Sequence, residues 1–332
     1  MDKLFKIKKN IFKITSEEEF NTLAIEIFKH QYKNNTIYGS YVNFICKDVS
    51  KIQHYKNIPF LPIEFFRSHK IITENAEIQN VFGSSGTTNQ AKSYHYVTDI
   101  SLYKKAAIAA FETAYGSISD YTILALLPSY IERNDSSLVY MVNYFISKSK
   151  YQADCGFYQD SHPVLIEKLK QLKDNPSRKT LLLGVSFALL DFSEKINFPL
   201  RNIIVMETGG MKGKRKEIVR EELHSILCKK FGVSSIHSEY GMTELLSQAY
   251  SHKNGIYKCP PWMKILTREI NDPLTLTETG RSGGINIIDL ANVNSCSFIA
   301  TQDVGKCLTD GAFEITGRFD YSDTRGCNLM VE

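Results

Sequence analysis

The sequence predicts an α/β fold, with a doubly wound mixed or parallel sheet followed by a β-rich C-terminal part. Three observations carry this prediction. Short apolar runs at 122–127, 180–185 and 202–206 have the length, and the lack of alternation, of strands buried on both faces. Polar or helix-patterned stretches separate them, the arrangement from which βαβ units are built. After Lys258 the pattern changes to shorter elements with Thr, Asn, Ile and Gly at 265–269, 284–289, 297–301 and 312–316, which reads as a β-rich tail.

Ser16 and Glu19 have capping-box spacing, and Phe20, Leu23 and Ile27 follow at helical intervals, so a helix opens at Ser16 and runs to Phe28. A second helix is expected over part of 42–56. Pro59 and Pro62 continue neither a helix nor a central strand and mark a connector. Residues 78–82 read as a strand feeding a glycine-rich segment, and 98–115 as a helix with Leu102, Ala106 and Ala110 on its apolar face. Together they read as strand, loop, helix. Three units are expected: a helical segment over 1–75, an α/β core over 76–257, and a β-rich subdomain over 258–332 that ends in a hinge-like tail.

The 332 residues are 43% hydrophobic, enough to bury a substantial core. Forty basic against 36 acidic residues leave a net charge of +4, which argues against a nucleic-acid partner. The basic cluster 212–216 is followed at once by Glu217, Glu221 and Glu222, as on a solvated helix face. Seven cysteines, odd in number and without a C-x-x-C pair, indicate neither a disulfide scaffold nor a zinc site. No apolar stretch has the length of a signal peptide core or a membrane span, so the expectation is a cytoplasmic protein without stable membrane insertion.

The chemistry is concentrated in three segments. Gly83, Ser84, Ser85, Gly86, Thr87, Thr88 and Lys92 combine close-approach glycines, hydroxyl donors and a mobile positive charge, all suited to phosphate. The NTPase phosphate loop is a poor match, because Gly86 precedes Thr87 where that loop needs Gly-Lys-Ser/Thr. The second segment is Glu239-Tyr240-Gly241-Met242-Thr243-Glu244. The third is Thr301-Gln302-Asp303 followed by Gly317-Arg318-Phe319-Asp320. Each has an ordinary reading when taken alone: a surface turn for the first, core packing for Tyr240 or Phe319, a turn aspartate for Asp303, a helix-surface carboxylate for Glu244. His95 reads more readily as a packed or surface histidine than as a phosphate contact.

In this order and together, the segments resemble the core motifs of adenylate-forming enzymes, the superfamily of acyl-CoA synthetases, luciferases and adenylation domains. A narrower likeness is to the acyl-protein synthetase subunit of bacterial luminescence fatty-acid reductases and its relatives near phenylacetate-CoA ligase. It is carried by 58–66, 126–130, 207–213 and Arg325-Gly326-Cys327, and extends from about Pro59 to the end. The resemblance implies ATP and Mg²⁺. Ser84, Ser85, Gly86, Thr87 and Thr88 would hold the β- and γ-phosphates, with Lys92 steadying the departing pyrophosphate. Tyr240 and Gly241 would lie against adenine, Thr243 would bind the α-phosphate, and Glu244 would ligate Mg²⁺. Asp303 would accept both ribose hydroxyls, and Arg318 would reach ribose or phosphate. Gly209 and Gly210 would let backbone lie against the adenine or the acyl chain.

By the same resemblance Cys327 would receive the acyl group as a thioester. Arg325 favours its thiolate, whereas Asp320 and Asp323 oppose it. Ser129 and Tyr130, with Ser136, Ser137 and Tyr140, are candidate lining of the acyl pocket. Asn89 and Ala91 depart from the usual Gly and Pro of the loop, and set against full-length acyl-CoA synthetases the expectation is a fold lacking most of their mobile C-terminal domain. The expected partners are a carboxylic acid, foremost a fatty acid, and an acyl-CoA reductase or another acyl-accepting protein. Two other readings stay open: an acyltransferase using acyl-CoA or acyl-carrier protein, and a non-catalytic complex subunit.

Overall fold

The computed structural model describes residues 3–74, 76–84, 92–128, 134–159, 162–209 and 218–319. Three helices, Lys3–Asn10, Glu17–Asn34 and Thr36–Ile45, open the chain. The Ser16 hydroxyl accepts from the Glu19 amide at 3.2 Å, while the Glu19 carboxylate reaches back to the Thr15 amide at 2.8 Å, so both donors at this helix start are met. Asn35 ends one helix and begins the next: its amide donates to Gln31 O at 2.8 Å and its Oδ1 accepts from the Tyr38 amide at 3.1 Å. That double cap corrects the expected second helix, which starts earlier, at Thr36, and stops at Ile45. Residues 46–58 instead contain the single 3₁₀ turns Val49–Lys51 and Tyr55–Asn57.

The strands, in chain order, are β1 (Leu61–Pro62), β2 (Asn80–Gly83), β3 (Tyr94–Val97), β4 (Tyr121–Leu126), β5 (Gly156–Phe157), β6 (Lys179–Val185) and β7 (Ile203–Thr208). They continue as β8 (His237–Tyr240), β9 (Ala249–Ser251), β10 (Ile256–Lys258), β11 (Met263–Arg268), β12 (Gly283–Asp289), β13 (Phe298–Cys307) and β14 (Phe313–Arg318). Twelve of them form one sheet in the order β11-β12-β13-β14-β10-β9-β8-β7-β6-β4-β5, with β1 parallel to β13. From β5 to β8 the pairing is parallel, and successive strands there are joined through the helices Ser137–Lys148, His162–Leu172, Ser186–Ser193 and Arg220–Phe231. The rest of the main sheet pairs antiparallel, apart from β1. The predicted α/β class is borne out, as are the buried runs: every residue of β4 is buried, as is every residue of β6 after Lys179. The strands after Lys258 continue the same sheet.

The strand, loop, helix reading of 78–115 is corrected. β2 pairs antiparallel with β3, from Asn80↔Val97 to Gly83↔Tyr94, as a separate two-stranded ribbon, so the glycine-rich segment joins two strands instead of leading into a helix. The signal was a period of two in 94–97, where His95 and Val97 are buried and Tyr94 is exposed. The helix begins afterwards at Ile100, where Asp99 Oδ1 accepts from the Leu102 amide at 3.0 Å.

Two buried polar residues lock the distant parts together. Gln31 donates to Asn292 O at 2.9 Å and accepts from the Ser297 amide at 3.1 Å, tying the first long helix to the C-terminal strands. Asp289, fully buried at the end of β12, accepts from the amides of Leu246 and Ser247 at 2.9 Å each, from Ser247 Oγ at 2.7 Å and from the Ala291 amide at 3.0 Å. Asp289→Asn keeps the shape but places an amide among donors. Its expected cost is about 2–3 kcal/mol, the scale of hydrogen bonds to a charged group. Equilibrium urea unfolding checks this, and a change below about 0.5 kcal/mol would remove Asp289 from its bracing role.

Candidate active site

Three of the sequence segments meet at one end of the parallel strands. The ribbon closes on a pair of serines: the Ser84 amide donates to Ser93 O at 2.9 Å, and the Ser93 amide returns a 2.9 Å bond to Ser84 Oγ. A Cβ on Gly83 would stand 2.3 Å from Asp135 Oδ2, so a larger residue would displace that carboxylate, and the Gly83 amide donates to Asp135 O at 2.9 Å. Asp135 also holds Lys92, with Nζ 3.5 Å from Oδ2. Ser84 and Lys92 thus flank the segment 85–91. Ser85, Gly86, Thr87 and Thr88, with Asn89 and Ala91, lie outside the described residues. So do Ser129, Tyr130, Gly210 and Cys327 with the rest of 320–332.

The 239–244 segment leaves β8 and turns over the ribbon. Buried His95 bonds Thr243 O at 2.9 Å through Nδ1, which must carry the hydrogen because a carbonyl only accepts. Burial presses the His95 imidazole down to about 4, so it is neutral at physiological pH. The Glu244 carboxyl is buried, which raises it above the ordinary carboxylate range against the pull of the Ser93 hydroxyl and of Arg318 and Arg67. Its backbone oxygen accepts from Asn292 Nδ2 at 2.7 Å. Ser93 therefore connects ribbon and turn, and Thr243 and Glu244 are both held through their backbone as well.

Tyr240, Asp303 and Arg318 form the other half of the site. The Tyr240 hydroxyl donates to Asp303 Oδ2 at 2.7 Å. Strand pairing sets Asp303 opposite Arg318, with Nε 3.9 Å from Oδ1. Burial raises the Asp303 carboxyl, opposed by the Tyr240 hydrogen bond and the charge of Arg318. The Arg318 side chain is 62% exposed, so its guanidinium is free to reach an incoming group. At the end of β7, Gly209 adopts φ of +66°, a conformation that favours glycine, and its carbonyl accepts from Ser186 Oγ at 3.0 Å.

Sequence reasoning assigned no role to two buried acids that the structure places beside these groups. Glu207 lies 3.3 Å from Arg220 Nε and 3.6 Å from His224 Nε2; burial raises its pKa, but these partners bring it below the usual range. Glu239 accepts a hydrogen bond from the Thr208 hydroxyl, and burial, with the nearby charge of Glu207, holds it up at about 7. The available signal was an acidic residue at the end of each of two strands. Among the described residues no group of three or more His, Cys, Asp or Glu is arranged to hold a metal. A single carboxylate at Glu244 suits Mg²⁺ that arrives with phosphates, since such ions take one or two protein carboxylates alongside phosphate oxygens.

No protein-family model matches the sequence, and comparison with curated proteins yields no match. Solved structures, by contrast, establish the architecture: the fold is that of the adenylate-forming enzymes. An open conformation of 2-hydroxyisobutyryl-CoA ligase in complex with 2-HIB-AMP and CoA matches with a TM-score of 0.67 and 11% identity, over 93% of this chain and 72% of that one. ATP-bound MatB from Rhodopseudomonas palustris matches at 0.55 and 12%, over 74% of this chain and 49% of its own. A luciferase-like enzyme from the nonluminescent mealworm Zophobas morio matches at 0.52 and 15%, over 75% and 59%. The chain thus spans about half the length of MatB. At these identities the likeness is one of fold. Among the described residues no helix is long and apolar enough to cross a membrane.

The shifted groups give opposite pH signatures. Glu239, raised from 4.5 to about 7, binds its proton more tightly in the folded state, so its contribution is intact below about pH 4.5 and is lost as pH rises to 7. His95, lowered from 6.5 to about 4, costs stability as pH falls through that interval. Glu239→Gln removes the first effect alone. Its stability relative to wild type should climb between pH 4.5 and 7, by up to about 3 kcal/mol. Parallel urea titrations at several pH values test this; a constant difference would mean that Glu239 titrates normally.

Proposed function

We propose that this chain activates a carboxylic acid with ATP as acyl-AMP and then passes the acyl group to Cys327, as an acyl-protein synthetase does. The observation that carries the first step is the set of contacts that link Ser84, Ser93 and Lys92, the Thr243–Glu244 turn and the Asp303–Arg318 pair within a fold of the adenylate-forming type. Two structural neighbours, an ATP-bound MatB and a 2-hydroxyisobutyryl-CoA ligase in complex with 2-HIB-AMP, support the same chemistry.

A carboxylate is a poor electrophile. In the first step a carboxylate oxygen attacks the α-phosphorus, the bond to the β-phosphate breaks, and pyrophosphate leaves. In the second, the Cys327 thiolate attacks the acyl carbon and AMP departs with the electron pair. Ser84 and Lys92 hold the departing phosphates, and Thr243 contacts the α-phosphate. Asp303, already joined to the Tyr240 hydroxyl, fixes the ribose, and the Tyr240 ring, packed on Tyr257 and Phe313, would lie against adenine. Mg²⁺ would be held by Glu244 together with the phosphates, and when bound it supplies charge neutralisation at the transferring phosphoryl group. Arg325-Gly326-Cys327 supports the thioester step through its likeness to the acyl-protein synthetases. The acid is foremost a fatty acid, the onward acceptor an acyl-CoA reductase or another acyl-accepting protein, and the compartment the cytoplasm.

ATP–pyrophosphate exchange across straight-chain, branched and aryl acids tests the first step. Acid-dependent exchange is expected, reduced about a hundredfold or more in Glu244→Gln, the scale of removing one group that stabilises developing charge. A folded protein that exchanges with none of these acids would turn the assignment toward thioester-dependent acyl transfer.

The second step has its own variant. Cys327→Ser should keep exchange at the wild-type rate while losing covalent labelling by radioactive acid. Persistent hydroxylamine-sensitive labelling of that variant would remove Cys327 as the acceptor.

A further inference from the structure

Alternation along β8 sorts its side chains onto two faces. Tyr240 reaches Asp303 on the face assigned to the nucleotide. Glu239 lies on the other, in register with Thr208 on β7 and Tyr250 on β9. One step further on, Gly241 comes opposite Gln248: a Cβ built on Gly241 would stand 2.5 Å from Glu239 Oε1 and 3.3 Å from Gln248 Cγ. Gly241 itself is exposed, so these two buried side chains lie beside a solvent-facing position that carries no side chain.

Two polar atoms in this row have no partner. Gln248 Oε1 and the Tyr250 hydroxyl are both unbonded, in residues only 4% and 3% exposed. Buried polar groups are nearly always hydrogen-bonded, so two orphans beside one carboxyl call for a ligand group. The orphaned oxygens of Asn292, Asn294 and Ser295 differ in setting, for those residues border a cavity of about 10 Å³, room for a single water. Glu239 forms no ion pair with a lysine or arginine among the described residues, and burial holds it at about 7, so the acid and carboxylate forms are both populated at neutral pH. The row thus offers a carboxyl that can carry its proton near neutral pH, an amide oxygen and a phenol. A hydroxyl, which both donates and accepts, satisfies such a set, whereas a methylene leaves it unmet.

We propose that Glu239, Gln248 and Tyr250 form a specificity subsite for a hydroxyl group on the acyl chain, so that the acid activated is a hydroxylated one. The inference rests on the acid-activation reading, and its test separates the two. Wild type, Tyr250→Phe and Gln248→Leu are assayed by ATP–pyrophosphate exchange with pairs of straight-chain acids that differ only in a hydroxyl at successive positions. The same acids are titrated without ATP, with the thermal midpoint as readout. At one chain position the hydroxylated acid should be favoured at least about tenfold in kcat/KM and should raise the midpoint more than its parent, because a site built to bond a hydroxyl discriminates against its absence. Both preferences should shrink in both variants. Exchange without preference at any position, or a preference untouched by either substitution, would overturn the subsite and leave acid activation standing. No exchange, with a midpoint preference that Tyr250→Phe abolishes, would keep the subsite and sink acid activation. Neither signal would sink both.

Discussion

The turn that carries Thr243 and Glu244 has no ladder of its own, so its shape depends on the buried carboxylate of Asp289. Backbone amides that cannot reach a strand partner must find another acceptor. Asp289 supplies it for Leu246 and Ser247, while Trp262 donates to Ser247 Oγ at 2.8 Å and seals the same corner. The corner begins with Glu244, whose carbonyl Asn292 holds from the next loop. The geometry of the Thr243–Glu244 turn is thus determined by residues outside it. This is the usual division of labour in a preorganised site: contact groups on a turn, and rigidity from buried hydrogen bonds behind it.

A second consequence concerns polarity within the sheet. β7 and β8 end in acids, and the two are handled differently. Glu207 is compensated by Arg220 and His224 and stays ionised, whereas Glu239, which among the described residues accepts from the Thr208 hydroxyl and has no ion-pair partner, is held up at about 7. Adjacent carboxyls in a desolvated place titrate apart, because ionising one raises the cost of ionising the other. One element end therefore carries a fixed charge and its neighbour a titratable one.

Much of this was legible in the sequence. The uninterrupted runs of β4, β6 and β7 revealed themselves because strands buried on both faces have no need of polar alternation. The Ser16 cap was legible because its chemistry is local. Tyr240, Asp303 and Arg318 were visible as residue types, but no local pattern encodes the register that sets Asp303 opposite Arg318 or the side-chain contact that brings Tyr240 to Asp303 from a strand not paired with theirs. The ribbon was misread because four residues, 94–97, are too short for alternation to stand out beside a glycine-rich segment. Asn35 was missed as a double cap because its second role depends on the helix that follows. The packed reading of His95 holds, but its bond to Thr243, like the roles of Ser93 and Asp289, acts across a long separation that no local pattern marks.

The tie between Gln31 and the segment around Ser297, and the pairing of Leu61 with Ile299, have a temporal side. On the ribosome the N-terminal helices emerge long before the strands that complete them, so their buried face and the β1 edge wait through most of synthesis without partners. Contacts of such high sequence separation form late and slow folding, because a long loop must close before they stabilise anything. The nascent chain is thus the stage most exposed to aggregation. Folding helpers that cover the helix Glu17–Asn34 would influence the yield of this protein more than they would its final stability.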